Sequence, residues 1–140
     1  MSKPFSPELY ARDDDAKNLV IGYLQSQDWE AWVNPDQYGI DLLAIDPFGD
    51  ELQLEVEVKH NWSGATFGFS GVHFSARKLK FATPTSIFVM LNHERTHALM
   101  VNGVDFLESP VITKSTIYTN NEKFVEVPVS KCKFIKLEGK

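Results

Sequence analysis

The chain of 140 residues has a single cysteine, Cys132, which excludes an internal disulfide and a cysteine-built zinc cluster. With no nucleophile motif around it, Cys132 reads as a partly buried structural thiol. The chain also lacks an apolar run long enough to span a bilayer, and it lacks a charged-then-apolar leader. A soluble cytoplasmic protein with no membrane partner is therefore expected. A basic excess is missing too: 14 Lys and Arg stand against 19 Asp and Glu, a formal net charge of −5. Dedicated nucleic-acid binders usually carry a basic surplus, so a nucleic-acid role here must rest on local charge. Such clusters exist at Arg77-Lys78-Leu79-Lys80 and at Lys131-Cys132-Lys133 with Lys136. Internal repeats and low-complexity tracts are absent. The apolar and charged fractions, 43% and 24%, are ordinary for one globular domain over residues 1–140 with a real core.

Met1 to Pro7 contain two prolines and two serines, and residues 1–8 read as a loose arm. Asp13-Asp14-Asp15 precedes apolar residues at Ala16, Leu19, Val20, Tyr23 and Leu24. This spacing predicts a helix over 14–26 with an acidic first turn. Strands are expected over 29–34, 40–46 and 51–60. In the last of these Leu54, Val56 and Val58 face one way, and Glu55, Glu57 and Lys59 the other. Asn61 to Gly71 is a glycine- and aromatic-rich loop in which Trp62, Phe67 and Phe69 either pack or stack on bases. A helix is predicted over 72–82. A strand over 85–92, a turn at His93-Glu94-Arg95 and a hairpin partner over 96–101 follow. Residues 103–110 form a connection or short helix, and weaker strands are expected over 112–118, 123–127 and 133–137. The sum is an α/β (α+β) protein, a central mixed sheet flanked by helices.

The chemistry concentrates between Gly39 and Lys59. An acid in an apolar strand is costly to bury unless it is paired or bound to a metal. Asp41 lies in one such strand and Glu57 in the next, joined by the turn Pro47-Phe48-Gly49-Asp50. Two carboxylates from neighbouring strands can hold a hard cation such as Mg²⁺ at roughly 2.0–2.1 Å. The cation polarises a phosphodiester and acidifies a bound water. Lys59, two residues after Glu57, shares its strand face and can orient that water or stabilise charge on the phosphate. Glu55, on the same face, is either a further ligand or a solvated strand residue.

Gly39-Ile40-Asp41-Leu42-Leu43-Ala44 and Leu54-Glu55-Val56-Glu57-Val58-Lys59 resemble the PD-(D/E)XK nuclease superfamily, the restriction-endonuclease-like fold. The resemblance covers roughly residues 13–103. It implies an Mg²⁺-dependent DNA endonuclease, with Mn²⁺ as a substitute metal. Asp41 and Glu57 become metal ligands and Lys59 the catalytic lysine. Some members of the superfamily carry an acid on the preceding helix, which makes Asp15 a further ligand or water-positioning group, with Asp13 or Asp14 as substitutes. The literal Pro35-Asp36 sits in a polar turn and reads as a decoy; Asp41 has the apolar strand context but follows Ile40 instead of a proline.

DNA contacts are expected from Arg77, Lys78, Lys80, His60 and Trp62. His93 and His97 are spaced by four, but across a turn, and make a poor zinc pair. So small a domain has no separate reader of base sequence. It would select a junction or flap, or act as a homodimer or with a targeting partner. The rival readings are a catalytically inactive nucleic-acid-binding or assembly module of the same fold, and an unrelated α+β protein with acids on an edge strand.

The hairpin sets a condition. A four-residue loop over 47–50 would put Asp41 opposite Val56 and leave Glu57 on the other face. The nuclease reading requires an odd-length loop or a bulge, with Gly49 left-handed, placing Asp41 opposite Glu57.

Overall fold

The computed structural model describes residues 7–36, 38–115 and 121–137, with side chains from Asp15 onward. Helix α1 (Pro7–Ser26) opens the described chain. It starts seven residues before the predicted helix and takes in Pro7 and Glu8 of the expected arm. Proline at a helix start costs nothing, because its missing N–H would have no partner there. The rest of that arm, and the side chains of Asp13 and Asp14, lie outside the described residues.

Strands β1 (Glu30–Val33), β2 (Leu42–Ile45) and β3 (Glu51–Val58) follow as an antiparallel meander. The chain then crosses over through β4 (Gly71–Ser75) and a 3₁₀ helix (Ala76–Phe81) to β5 (Ser86–Leu91), which pairs in parallel with β3. Strand β6 (His97–Asn102), helix α2 (Gly103–Glu108), β7 (Val111–Lys114), β8 (Glu122–Pro128) and β9 (Lys133–Lys136) complete the fold. It is a mixed α/β architecture. Two sheets form where one was expected: six strands in the order β1-β2-β3-β5-β6-β9, and three in the order β4-β8-β7. Among the described residues no helix is long and apolar enough to cross a membrane.

The predicted helix over 72–82 is wrong in its first half. Val72 and Phe74 are buried at period two, and β4 pairs with β8 more than fifty residues away. Phe74 belongs to this strand, and Leu79 and Phe81 to the tight 3₁₀ segment that follows.

Each face of the large sheet carries a core. On one, Ala16, Val20 and Leu24 of α1 pack on Leu42, Ala44, Leu54, Val89 and Leu91. On the other, Phe88, Met90, Leu99 and Val101 meet Val72, Phe74, Val125 and Val127 of the small sheet. Phe106 of α2 stacks on Phe88 at 3.8 Å between ring centroids. Residues alternate between these two cores along β5, so its sequence reads as continuously apolar.

Candidate active site

Ile45 pairs with Glu51, so the β2–β3 loop is the five residues Asp46–Asp50. Asp46 closes it: its Oδ1 accepts from the backbone N–H of Phe48 and of Asp50, each at 2.9 Å. Gly49 has φ 89°, the left-handed value that favours glycine. The odd length is as required, but the register corrects the expected partner. Leu42 faces Leu54, so Asp41, one residue earlier, falls opposite Glu55 and not Glu57. Glu57 lies two residues further along the same face of β3. The backbone N–H of Lys59 donates to Leu91 O at 2.8 Å, so pairing with β5 runs through Lys59 and keeps its side chain in phase with Glu55 and Glu57.

At Asp41 the backbone ladder gives way to side-chain bonds. Asp41 Oδ2 accepts from the Val56 N–H at 2.9 Å, and the Asp41 N–H donates to Glu55 Oε2 at 2.9 Å. The two carboxylates thereby lock the end of β2 onto β3. Glu55 is 6% exposed, which removes the solvated alternative for it. Its Oε1 accepts from Lys78 Nζ at 2.9 Å, and Asp41 Oδ1 lies 3.5 Å from Lys17 Nζ.

Burial pushes the Glu55 carboxyl above its ordinary value, with Asp41 adding to the rise and Lys78 opposing it. Burial alone would lower the Lys78 ammonium, but Glu57, Glu55 and Asp41 outweigh it, and Lys78 is held above its ordinary value. Lys59 behaves oppositely. Burial and the nearby Lys114 lower it, against Glu57. Its Nζ stands 5.2 Å from the centroid of the Phe69 ring.

Other expected site residues fare differently. Asp15 is exposed, and among the described side chains of α1 it is Lys17 that reaches Asp41. Of the basic trio, Arg77 and Lys80 are exposed while Lys78 turns inward to Glu55. Trp62 is 2% exposed with Nε1 donating to Thr66 O, so it packs under the loop and offers no free ring face. Phe69, at 48% exposure, does. His60 is exposed and meets His93, with Nδ1 atoms 3.4 Å apart. His93 thus turns to His60, while His97 bonds Thr96 Oγ1. Asp36 serves its turn by accepting from the Tyr38 N–H.

Reading by sequence missed Lys17 and the inward role of Lys78. It also missed a chain on the small sheet in which Lys114 Nζ lies 3.0 Å from His73 Nδ1, and His73 Nε2 lies 2.8 Å from Glu126 Oε2. Period-two reading of residues 71–75 would have set His73 on the outer face of a strand; nothing local points to Lys17.

Among the described residues no group of three or more His, Cys, Asp and Glu side chains converges to hold a metal ion unaided. Mg²⁺ seldom needs one: it is usually bound by one or two carboxylates, with waters and substrate phosphates completing its shell. The hydrogen bonds to Asp41 and Glu55 use part of their capacity only, since each carboxylate oxygen can accept twice. This hard-oxygen set with an adjacent lysine fits such a cation. Comparison of the chain with protein-family models, with curated proteins and with solved structures finds no match.

Proposed function

We propose that the protein is a metal-dependent DNA endonuclease of the restriction-endonuclease-like fold, with its site at the β2–β3 end of the large sheet. The observation that carries this reading is the register that sets Asp41 opposite Glu55, with Glu57 and Lys59 following on the same face. The order α1-β1-β2-β3, then a crossover to a strand parallel to β3, supports the fold assignment. The crossover departs from the expected pattern by carrying β4 and a 3₁₀ helix in place of an α-helix.

Two of the carboxylates of Asp41, Glu55 and Glu57, with waters and a substrate phosphate, would hold the cation. Bound Mg²⁺ supplies polarisation of the phosphodiester and an acidified water. In hydrolysis the water oxygen bonds to phosphorus in line as the bond to the leaving oxygen breaks; the water gives up a proton and the leaving oxygen takes one. Lys59 stands beside Glu57 to orient the water or to stabilise charge on the phosphate. Arg77 and Lys80, exposed on the 3₁₀ helix, suit the flanking phosphates. Phe69 suits an unstacked base at a junction or flap.

One observation favours the inactive-module reading: the Lys78 ammonium already compensates the acids. Incubation with single-stranded, linear duplex and branched DNA, with Mg²⁺ or Mn²⁺ and with chelator, separates the two. The nuclease cuts at least one substrate only with metal, and loses this in Asp41→Ala and Lys59→Ala. A protein that binds DNA and cuts none of these substrates is the module.

A further inference from the structure

We propose that Lys78 is a built-in competitor for the divalent cation, an ammonium that sits among the acids and must leave before they can take up metal. The inference rests on the nuclease reading for the identity of the cation. It begins from an apparent excess: besides Lys59, the site holds Lys17 near Asp41 and Lys78 against Glu55, neither accounted for by period-two alternation, and of these Lys78 alone is at hydrogen-bond distance. Lys78 arrives from a different element, the 3₁₀ helix of the crossover, and bonds Glu55 Oε1 at 2.9 Å. Glu55 is the residue that also anchors Asp41 through its other oxygen. A cation ligated by Glu55 and Asp41 would have to share this carboxylate with an ammonium at hydrogen-bond distance, and two cations so close repel.

The element that carries Lys78 is built to let it move. The 3₁₀ segment Ala76–Phe81 contributes no fully buried residue, and its neighbours Arg77 and Lys80 already face solvent. The Lys78 side chain is drawn inward, to 18% exposure, while Leu79 and Phe81 pack against the core between the two sheets. A long flexible stem lets the ammonium withdraw without backbone rearrangement. Electrostatics agrees with this placement, since Glu57, Glu55 and Asp41 together hold the Lys78 proton against the effect of burial. Without metal, Lys78 lessens repulsion among the three acids and keeps the site ordered. With metal, the same ammonium is released, which makes metal uptake weaker than the acids alone would give.

Metal binding to the full-length protein without DNA tests this directly. Mn²⁺ titrations by calorimetry and by electron paramagnetic resonance would compare the wild type with Lys78→Gln, Lys78→Met and Lys78→Arg. Lys78→Gln and Lys78→Met should bind Mn²⁺ about ten- to a hundredfold more tightly, the worth of one hydrogen bond to a charged group. Lys78→Arg, which keeps the charge, should stay near wild type. Equal or weaker binding in the neutral variants overturns the inference, because a purely structural lysine has no reason to oppose metal.

Should the neutral variants fail to fold, amine labelling of the wild type read by mass spectrometry decides. Labelling of Lys78 should rise on saturation with Mn²⁺, and an unchanged rate overturns the inference. The failures are distinguishable. If the wild type cuts DNA with metal and Lys78→Gln binds metal no better, the inference falls and the nuclease reading stands. If Lys78→Gln binds Mn²⁺ tightly but no DNA is cut, the reverse holds.

Discussion

The two faces of β3 differ sharply, although they alternate along a single strand. On the α1 side Leu54, Val56 and Val58 pack into a dry core with Ala16, Val20 and Leu24. Burying a side chain such as Leu54, at 0% exposure, contributes about 1.5–3 kcal/mol. On the opposite side Glu55, Glu57 and Lys59 stand where a stability-driven sequence would place valine. Taking a carboxylate out of water costs several kcal/mol before pairing, on the order of what a whole apolar side chain returns. The Lys78 ammonium and the Asp41 N–H offset that cost at Glu55. One face thus packs the strand into an apolar core, and the other carries charged groups whose burial must be offset by pairing. Such a division is expected where a site is mounted on a rigid element.

The sharpest way to break this comparison is to alter each face separately. Lys59→Ala should lower metal-dependent cleavage by about a hundred- to a thousandfold, the loss typical of removing one preorganised charge-stabilising group. Its thermal unfolding should stay close to that of the wild type. Leu54→Ala should do the opposite. Urea unfolding should report a loss of about 2–5 kcal/mol, while cleavage per folded molecule persists. If Leu54→Ala abolishes cleavage in protein that is still folded, or if Lys59→Ala unfolds the chain, the division of labour is wrong.

A smaller effect separates the faces by pH. Glu55 is raised above the value of 4.5 it has when unfolded. A group raised on folding contributes stability that is fully present below its unfolded pKa and lost as pH rises through its folded pKa. Wild-type stability should therefore carry a component that declines as pH climbs above about 4.5, and Glu55→Gln should remove that component. Urea unfolding of both proteins at stepped pH values checks this. Parallel curves would show that Glu55 is not strained by burial. The apolar face offers no titrating group, so Leu54→Ala should shift the wild-type curve without changing its shape.

The sequence made the charged face legible because period two is a local property. Glu55, Glu57 and Lys59 share a face in any strand that contains them. The odd loop was required by the nuclease reading, which needed Asp41 and Glu57 on one face, and Gly49 could supply the left-handed residue of such a turn. That Glu55, not Glu57, lies opposite Asp41 was not legible, because it depends on the loop having five residues, a choice made by Asp46 accepting two backbone N–H groups. The small sheet escaped notice for a related reason. Strand β4 finds its partner in β8, and no local pattern encodes a pairing across that separation. Lys17 and Lys78 reach the acids from a helix and from a crossover, joined to them only by tertiary packing. Side chains brought in from other elements are what sequence periodicity cannot supply.

Under the proposed function, the charged face of β3 performs metal-dependent DNA hydrolysis on a scaffold held by the other face. Glu57→Gln tests it most directly, because it removes one charge, keeps the shape and leaves the apolar face untouched. Cleavage of branched and linear duplex DNA in Mg²⁺ should fall by about a hundredfold or more in this variant, with its melting temperature near that of the wild type. Equal cleavage by both proteins, or cleavage by the wild type that survives chelator, would contradict the claim.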